Sequence, residues 1–308
     1  MLLILTHSED HTSNELISLL NGIPLFRFNI DLWRNYLWEV NGNGFRIQDP
    51  TGRVCEESGV YALYLRKFFF DPVYVDVPAG GCEEAWRREE LLQLFLGIRD
   101  LAFASGKLAL VKPASAVSKV RQMRLAKYWF PVPEWKAFHG GFPRAFKTGT
   151  VVKTFAATPL GNGAHLLVKE VDAGCLSSEF PWFIQEKTPA SHDVTVVYVN
   201  GRLFAYELSR DFDGMDSRLA TSERDSIWPP CEICQHEAVG IRAIMTELNL
   251  TFGRFDFLRV NGQLWFLEVN PNGQWGWLDP RRDNGLYQAV ADEIRAVWER
   301  NEAGKIPV

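Results

Sequence analysis

The chain has 308 residues, of which 46% are apolar and 23% are charged, and its formal net charge is −5. This balance is typical of a globular protein of about two domains and argues against disorder. No basic run exceeds two residues and no apolar run reaches the length of a membrane span, so we expect neither nucleic-acid binding nor a membrane segment.

The cysteines are few and irregularly spaced. The five positions are Cys55, Cys82, Cys175, Cys231 and Cys234. An odd, scattered set is typical of reduced thiols in a cytosolic compartment. The first residues carry no positive leader and only a short apolar run, so we do not expect a secretory signal peptide.

The first part of the chain alternates strands with a helix. The pattern predicts a strand over Leu2–Leu5, a helix from about Ser13 to Leu20, and a strand over Pro24–Phe28. Strand, helix and strand in succession indicate an α/β unit with parallel strands. Because no Gly-x-Gly-x-x-Gly follows the first strand, a Rossmann dinucleotide site is not expected there.

Four further elements complete this part of the chain. They are a hairpin over Leu37–Val40 and Gly44–Gln48, a strand over Val60–Arg66, an amphipathic helix over Cys82–Ser105, and a strand over Leu108–Val111. We place the first domain boundary after Lys112.

The rest of the chain is richer in strands. Helices are predicted over Ala116–Trp129, Ile233–Leu248 and Leu286–Glu302. Strands are predicted over Val151–Phe155, His165–Val171, Trp182–Glu186, Val194–Asn200 and Arg202–Leu208, followed by a strand pair within Thr251–Asn270.

This last strand pair carries the most informative polar residues. Side chains alternate between the two faces of a strand, so Arg254 and Asp256 share one face. Glu268 and Asn270 share one face of the partner strand by the same rule. Whether the two faces coincide depends on the turn at Asn261-Gly262.

Two turns are compatible with this sequence. A two-residue Asn-Gly turn pairs Asp256 with Leu267, whereas an odd loop centred on Gly262 pairs Asp256 with Glu268. We favour the odd loop, with a glycine bulge, because it gathers the polar residues on one surface. It places five apolar residues on the core side: Phe255, Phe257, Trp265, Leu267 and Val269.

Such a polar surface suits a divalent cation. Two facing carboxylates repel unless a cation lies between them, and an Asp, Glu and Asn set suits Mg²⁺. Arg254 beside them would neutralise charge on a transferring phosphoryl group. The alternative is an ordinary amphipathic hairpin whose polar side faces water.

The same residues resemble a known family. Gly253-Arg254-x-Asp256 followed by Glu268-Val-Asn270 resembles the metal-binding end of ATP-grasp ligases, and the string from Leu267 to Trp275 is similar to that of the microviridin-type (graspetide) peptide macrocyclases of the RimK-like branch. Weaker similarity extends to the first domain, at residues 3–10, 26–31 and 64–67.

The resemblance implies an α/β protein with the ATP-grasp fold. A Rossmann-like pre-ATP-grasp domain would span residues 1–112. Central and C-terminal α+β subdomains, at residues 113–187 and 188–308, would sandwich ATP between them.

The resemblance also implies ATP and Mg²⁺ as cofactors and roles for particular residues. Lys119 and Lys153 would hold the ATP phosphates. Glu186 and the backbone of Lys187 would meet adenine, and Asp193 the ribose or the substrate. Asp256, Glu268 and Asn270 would bind Mg²⁺, and Arg254 would stabilise the charge of an acyl phosphate.

One departure from the family pattern concerns an arginine. The strand after Asp193 usually carries an arginine where this chain has Thr195, and Arg210 or Arg218 could substitute for it. A glycine-containing loop at residues 157–163 is not a Walker loop.

The activity implied is ATP-dependent ligation through an acyl phosphate, forming side-chain esters or amides in a ribosomally made precursor peptide bound partly through its leader. The resemblance also suggests a homodimer. Two alternatives stay open: a ligase that adds an amino acid to a peptide or protein, and a nucleotide-binding or peptide-binding protein without catalysis. A zinc site at Cys231-x-x-Cys234 is disfavoured because no second cysteine pair exists.

Overall fold

The computed structural model describes residues 1–66, 82–110, 118–140, 146, 148–153, 155, 169–172, 176, 179–210 and 228–304. Within helix Cys82–Ala104, the side chains of residues 82, 84, 85 and 88 are not described. Arg218, Cys175 and the loop at residues 157–163 also lie outside the described residues.

The predicted elements occur in the predicted order, with ends that differ by a few residues, and two strands, Val54–Glu56 and Trp135–Phe138, were not predicted. The N-terminal elements are β1 (Leu2–Thr6), α1 (His11–Leu19), β2 (Leu25–Asn29), β3 (Leu37–Asn41), β4 (Gly44–Gln48), β5 (Val54–Glu56), β6 (Ala62–Leu65), α2 (Cys82–Ala104) and β7 (Leu108–Ala109). The next are α3 (Lys119–Ala126), β8 (Trp135–Phe138), β9 (Thr150–Lys153), β10 (Lys169–Val171) and β11 (Trp182–Glu186). The last are β12 (His192–Val199), β13 (Arg202–Ser209), α4 (Gln235–Glu247), β14 (Phe252–Val260), β15 (Gln263–Asn270) and α5 (Leu286–Ala303).

The N-terminal sheet is parallel, as predicted. Its order is β2-β1-β6-β7. Strand β1 is buried on both faces: Leu3 packs with Phe95 of α2, while Ile4 packs with Ile294 of α5. A strand covered by helices on both sides must be apolar throughout, which explains the continuous run of apolar residues at the start of the chain.

The described residues form three further sheets. Strands β3, β4 and β5 form an antiparallel sheet that includes the predicted hairpin. The central sheet has the order β10-β9-β11-β8, and the C-terminal sheet has the order β13-β12-β14-β15, both antiparallel. Helix α3 lies between the last two, where its Met123 packs with Phe183 and Phe255.

The predicted pairing of Asp256 with Glu268 is confirmed, but the predicted odd loop is wrong. Val260 pairs with Gln263, so the turn has two residues, Asn261 and Gly262, both with positive φ (50° and 80°). The register shifts between Asp256 and Phe257, which leaves Leu267 as an extra residue in β15. A β-bulge inside the strand therefore supplies the odd residue that we assigned to the loop.

The bulge also corrects the predicted core face. Trp265 and Leu267 are partly exposed, whereas Leu264 and Phe266 are buried. The β15 residues between the turn and the bulge face the side opposite to the predicted one, because their register is one residue different, whereas Phe255 and Phe257 of β14 are buried as predicted. The burial of Val269, which lies beyond the bulge, is as predicted.

The C-terminal helix α5 packs on the N-terminal sheet. Val290 and Ile294 share one core cluster with Leu2 and Ile4 of β1. The first and last parts of the chain therefore bury apolar surface against each other, and the division at residues 112 and 187 stays a prediction.

Gly276 occupies a position with no room for a side chain. A Cβ there would lie 2.6 Å from Tyr287 Oη and would also clash with Thr12. We expect Gly276→Ala to lower the free energy of unfolding by about 1–3 kcal/mol. Gly97 of α2 has open space around it, so Gly97→Ala should instead stabilise by about 0.5–1 kcal/mol. Urea unfolding of both variants checks this, and equal effects would contradict it.

Among the described residues, no helix combines the length and the apolar content that crossing a membrane requires. Cys231 and Cys234 are free thiols, and Cys234 precedes α4, where its backbone N–H donates to Glu237 (2.8 Å). The Cys-x-x-Cys pair therefore lies in the segment that leads into α4.

Candidate nucleotide and metal site

One face of the C-terminal sheet gathers the predicted metal ligands. Asp256 of β14 is directly opposite Glu268 on one side and Thr195 of β12 on the other. Arg254 pairs with Asn270 two positions further along. The alternation of side chains therefore brings all five residues to the same surface.

The Asp256 carboxylate is held by three donors. Its Oδ1 accepts from Thr195 Oγ1 (3.1 Å), and its Oδ2 accepts from Arg254 Nη2 (2.9 Å) and Asn270 Nδ2 (3.3 Å). Thr195 is buried, so its hydroxyl is fixed by the sheet. The carboxylate is consequently oriented before any ligand binds.

The amide of Asn270 lies between the two carboxylates. Its Nδ2 donates to Asp256 Oδ2 and to Glu268 Oε1 (3.1 Å). A half-turn of this amide would present its oxygen to the same place, giving two carboxylates and an amide oxygen. This donor set fits Mg²⁺, which takes one or two carboxylates and completes its shell with phosphate oxygens and water.

Two lysines from the central part of the chain lie on the side of the carboxylates of Asp256 and Glu268. Lys119 Nζ lies 3.1 Å from Glu268 Oε2 and 5.7 Å from the centre of the Phe183 ring. Lys153 pairs with Phe183 across β9 and β11, so its side chain points to the same side of the central sheet as that ring. Ser118 begins α3 by accepting from the backbone N–H of Arg121 (3.2 Å), which fixes where Lys119 starts the helix.

These contacts shift two pKa values. Burial lowers the pKa of Lys153 to about 8, with Lys119 acting in the same direction and Glu268 against it. Burial acts to raise the pKa of Glu268, but the charges of Lys119 and Lys153 outweigh it, and that pKa falls to about 2. Glu268 is therefore an anion at neutral pH, and Lys153 is a cation close to its titration point.

Among the described residues, two of the three nitrogens of the Arg254 guanidinium donate hydrogen bonds. Its Nη1 donates to the carbonyl of Gln274 (2.9 Å) and its Nη2 to Asp256. Its Nε is buried and has no hydrogen-bond acceptor within the described part of the chain. An anion beside Asp256 would satisfy this donor, and a phosphate oxygen is such an anion.

The residues predicted to contact adenine lie at the end of β11. Glu186 Oε1 accepts from Thr148 Oγ1 (2.9 Å), and Lys187 Nζ pairs with Glu170 (2.7 Å). The backbone N–H of Lys187 donates to the carbonyl of Gly149 (3.0 Å). This N–H therefore supports the central sheet, and the adenine role of both residues stays a prediction.

Asp193 and Arg210 form an ion pair at the edge of the polar face. Their Oδ1 and Nη1 atoms are 3.6 Å apart, and both side chains are largely buried. Asp193 lies two residues before Thr195 in β12 and so shares its face. The structure therefore brings Arg210 close to the site, while Arg218 lies outside the described residues.

Two residues that support the site were not assigned a role from the sequence. Thr195 was noted only for replacing an arginine, yet it hydrogen-bonds Asp256. Gln122 of α3 is buried, and its Oε1 accepts from the backbone N–H of Val269 (2.9 Å), next to Glu268. Its position one helical turn after Lys119 is the signal that could have identified it.

Comparison of this chain with proteins of known structure identifies its fold. No family model and no curated protein sequence matches the chain. Solved structures do match. One is the macrocyclase MdnC bound with precursor peptide MdnA, from Microcystis aeruginosa MRC. Its TM-score is 0.76 at 21% sequence identity, and the match covers 96% of this chain and 99% of that chain. A RiPP-associated ATP-grasp ligase of Chryseobacterium gregarium, in complex with ADP and a leader and core peptide, has a TM-score of 0.74 at 15% identity, covering 96% of both chains.

A more distant match extends the comparison. The D-alanine–D-alanine ligase of Bacillus anthracis, complexed with ATP, has a TM-score of 0.52 at 14% identity and covers 99% of this chain and 98% of that one. The chain therefore has the ATP-grasp fold, as the resemblance implied.

Proposed function

We propose that this protein is an ATP-dependent ligase that activates carboxyl groups of a ribosomally made precursor peptide and joins them to hydroxyl or amine side chains. The observation that carries the proposal is the set of Asp256, Glu268 and Asn270 facing Lys119 and Lys153. Two carboxylates, an amide and two lysines that lie close together suit a nucleoside triphosphate with its magnesium ion.

The peptide substrate is proposed from the similar structures. MdnC is described as bound with a precursor peptide, and the Chryseobacterium gregarium ligase as holding ADP with a leader and core peptide. Both similarities cover nearly the whole of this chain, including its N-terminal domain. A homodimer in the cytoplasm stays a prediction.

The proposed reaction has two steps. A carboxylate oxygen of the peptide attacks the γ-phosphorus of ATP, the bond to the β–γ bridging oxygen breaks, and ADP leaves with that electron pair. A hydroxyl or amine of the peptide then attacks the acyl carbon, the bond to the phosphate oxygen breaks, and inorganic phosphate leaves while the nucleophile loses its proton. Each link therefore removes one water from the peptide overall.

The residues of the site act by position and charge. Lys119 and Lys153 bind phosphate oxygens, and Arg254 places its buried Nε–H against the transferred phosphoryl group. We propose that Arg210, held by Asp193, supplies the charge that the family places at position 195. Magnesium, held by Asp256, Glu268 and Asn270, would neutralise charge on the phosphates. No nucleophilic side chain of the protein is needed.

The test is the intact mass of a short acidic peptide, encoded beside this gene, after co-expression with the protein. We expect the loss of one or more waters with the native protein and no loss with Glu268→Gln. A gain equal to one amino acid would favour the ligase that extends a peptide. An unchanged mass, with no ADP formed from ATP in vitro, would reject the ligase and leave a nucleotide-binding protein.

The pKa of Lys153 predicts how ATP binding depends on pH. The pKa of about 8 means that this lysine loses its charge as the pH rises from 7 to 9. A bound phosphate favours the charged form, so ATP should bind about tenfold more weakly at pH 9 than at pH 7. Calorimetric titration at both pH values measures this. Lys153→Arg keeps its charge and should bind equally well at both, and an equal loss in that variant would contradict the assignment.

A further inference from the structure

Arg66 is a buried arginine between the N-terminal domain and the metal-binding strand. It directly follows β6, and only 1% of its surface is exposed. Its Nη1 donates to the carbonyl of Gly273 (2.9 Å) and approaches that of Asn272 (3.5 Å). Both carbonyls belong to the turn that follows Asn270, the last residue of β15.

The other side of the guanidinium faces a buried carboxylate. Arg66 Nε lies 3.9 Å from Asp10 Oδ2, and Asp10 is fully buried. Asp10 Oδ2 in turn accepts from Thr6 Oγ1 (2.8 Å) and Ser13 Oγ (2.5 Å). The carboxylate that anchors Arg66 is thus fixed at the end of β1 and the start of α1.

Arg66 lies where the order of the N-terminal sheet reverses. The chain passes from β1 outward to β2 and then returns to β6 on the other side of β1. The carboxyl ends of two strands that diverge in this way border the crevice where open α/β sheets bind ligands. In this protein the turn at residues 271–274, which follows β15, lies against Arg66 at this crevice.

A second arginine binds the same turn. Arg254 donates to the carbonyl of Gln274 while also donating to Asp256. The turn is tight, because the backbone N–H of Gly273 donates to the carbonyl of Asn270 (3.1 Å) and a Cβ on Gly273 would lie 2.9 Å from Arg254 Cβ. Two adjacent carbonyls, those of Gly273 and Gln274, are therefore each bound by a guanidinium.

We propose that Arg66 is a positioning residue that fixes the turn at residues 271–274 against the N-terminal domain and thereby sets the positions of Asn270 and Glu268 in the metal site. The proposal rests on the metal role given to those residues under the proposed function. Arg66 Nε and Nη2 have no hydrogen-bond acceptor within the described residues, so burial of this charge is costly. An apolar side chain would fill the same space at lower cost, whereas the contact with the turn requires a donor.

Arg66→Lys is the informative variant, because lysine keeps the charge beside Asp10 but cannot bind both Asp10 and the turn carbonyl. Arg27→Lys is the matched control. Arg27 is an arginine of β2 in the same sheet, and the hydrogen bonds it donates within the described residues go to N-terminal residues: its Nη2 donates to the carbonyl of His7 (2.7 Å) and its Nε to Asn29 Oδ1 (2.7 Å).

The first measurement is hydrogen exchange of the ligand-free protein. For the peptide that covers residues 269–278, we expect Arg66→Lys to increase the exchange rate by at least about tenfold, because the opening free energy of that turn falls. Arg27→Lys should leave that peptide unchanged. Hydrogen exchange requires no catalysis, so it tests the contact between Arg66 and the turn even if the proposed ligase activity is absent.

The second measurement is binding of Mn²⁺ in the presence of ADP, followed by electron paramagnetic resonance. Loss of a residue that orients metal ligands costs roughly 10–100-fold in metal affinity, so Arg66→Lys should bind Mn²⁺ at least about tenfold more weakly, and Arg27→Lys within about twofold of the native protein. Faster exchange with unchanged Mn²⁺ affinity would overturn the positioning role, as would equal effects of the two variants. If the native protein itself binds no Mn²⁺ with ADP, the metal assignment fails and the positioning role fails with it.

A third variant covers the case in which Arg66→Lys does not fold. Asp10→Asn keeps the shape of the buried side chain and removes only the charge that anchors Arg66. We expect faster exchange at residues 269–278 in this variant too, and native exchange there would overturn the proposal.

Discussion

Replacing Glu268 with glutamine is expected to lower the rate of ADP formation by at least about a hundredfold, since even residues that only orient metal ligands contribute 10–100-fold. The variant keeps the size of the side chain but removes the charge that faces Lys119 and Lys153. The repulsion between the two lysine ammonium groups is then no longer offset by a carboxylate. The site also loses one of the two carboxylates that suit Mg²⁺. ADP release, measured with a coupled assay in the presence of the peptide, gives the result.

Glu207 offers a matched control for Glu268. Both carboxylates lie in the C-terminal sheet, both are 28% exposed, and both have a cation at 3.1 Å, which for Glu207 is Arg259. Glu207 pairs with Val194, and so it faces the side of the sheet opposite to Thr195 and Asp256. Glu207→Gln should leave ADP formation within about twofold, as surface ion pairs contribute little. Turnover by Glu268→Gln at the native rate would remove the basis of the metal assignment.

Lys153→Met is expected to weaken nucleotide binding and turnover strongly without unfolding the protein. A hydrogen bond to a charged group contributes ~1.5–3 kcal/mol, so ATP should bind about 10- to 100-fold more weakly, and ADP formation should fall at least as far. Methionine fills a similar volume and carries no charge to desolvate, so the thermal midpoint should stay the same or rise. Calorimetry with ATP and a thermal melt measure the two effects.

The stability of the native protein should depend on Lys153 in a defined pH window. Its pKa is about 8 in the folded state against an ordinary value of 10.5, so between these values the unfolded state binds more protons. This residue therefore adds a rise in stability with pH from about 8 to 10.5, and the methionine variant should lack that contribution.

Lys136 provides the control for Lys153. It lies in β8 of the same sheet and pairs with Ile184, whereas Lys153 pairs with Phe183, so the two lysines face opposite sides. Its ammonium lies over the Phe146 ring at 4.6 Å. Lys136→Met should leave ATP binding unchanged. Equal losses in both variants would show that the effect comes from the sheet as a whole and not from Lys153.

The alternation of side chains in a strand was enough to predict which polar residues share a face. It placed Arg254 with Asp256, and Glu268 with Asn270, from spacing alone. It could not decide how the two strands pair, because a turn and a bulge change the register by the same single residue. The prediction placed the odd residue in the turn, while the structure places it in a bulge at Leu267. The polar residues and Phe257 therefore face the predicted sides, whereas Trp265 and Leu267 do not face the core.

Contacts between distant parts of the chain are the other limit. The family resemblance assigned Lys119 to the nucleotide, but its ion pair with Glu268 depends on how α3 packs beside β15. The hydroxyl of Thr195 on Asp256 depends on the register of β12 with β14. Local spacing in the sequence does not determine either distance. Each follows from the burial of apolar residues elsewhere, such as Met123 between the central and C-terminal sheets.

The packing of α5 on the N-terminal sheet has a consequence for how the protein is made. During translation β1, β2 and β6 leave the ribosome early, but helix α5, which packs with Leu2 and Ile4, follows only after the central and C-terminal sheets. Until then that apolar face of the first sheet is covered only in part, by residues such as Leu16 of α1. Nascent chains with exposed apolar surface aggregate or recruit chaperones. The N-terminal domain should therefore mature last although it is synthesised first, and protease resistance of stalled chains should appear only once Leu286–Ala303 has emerged.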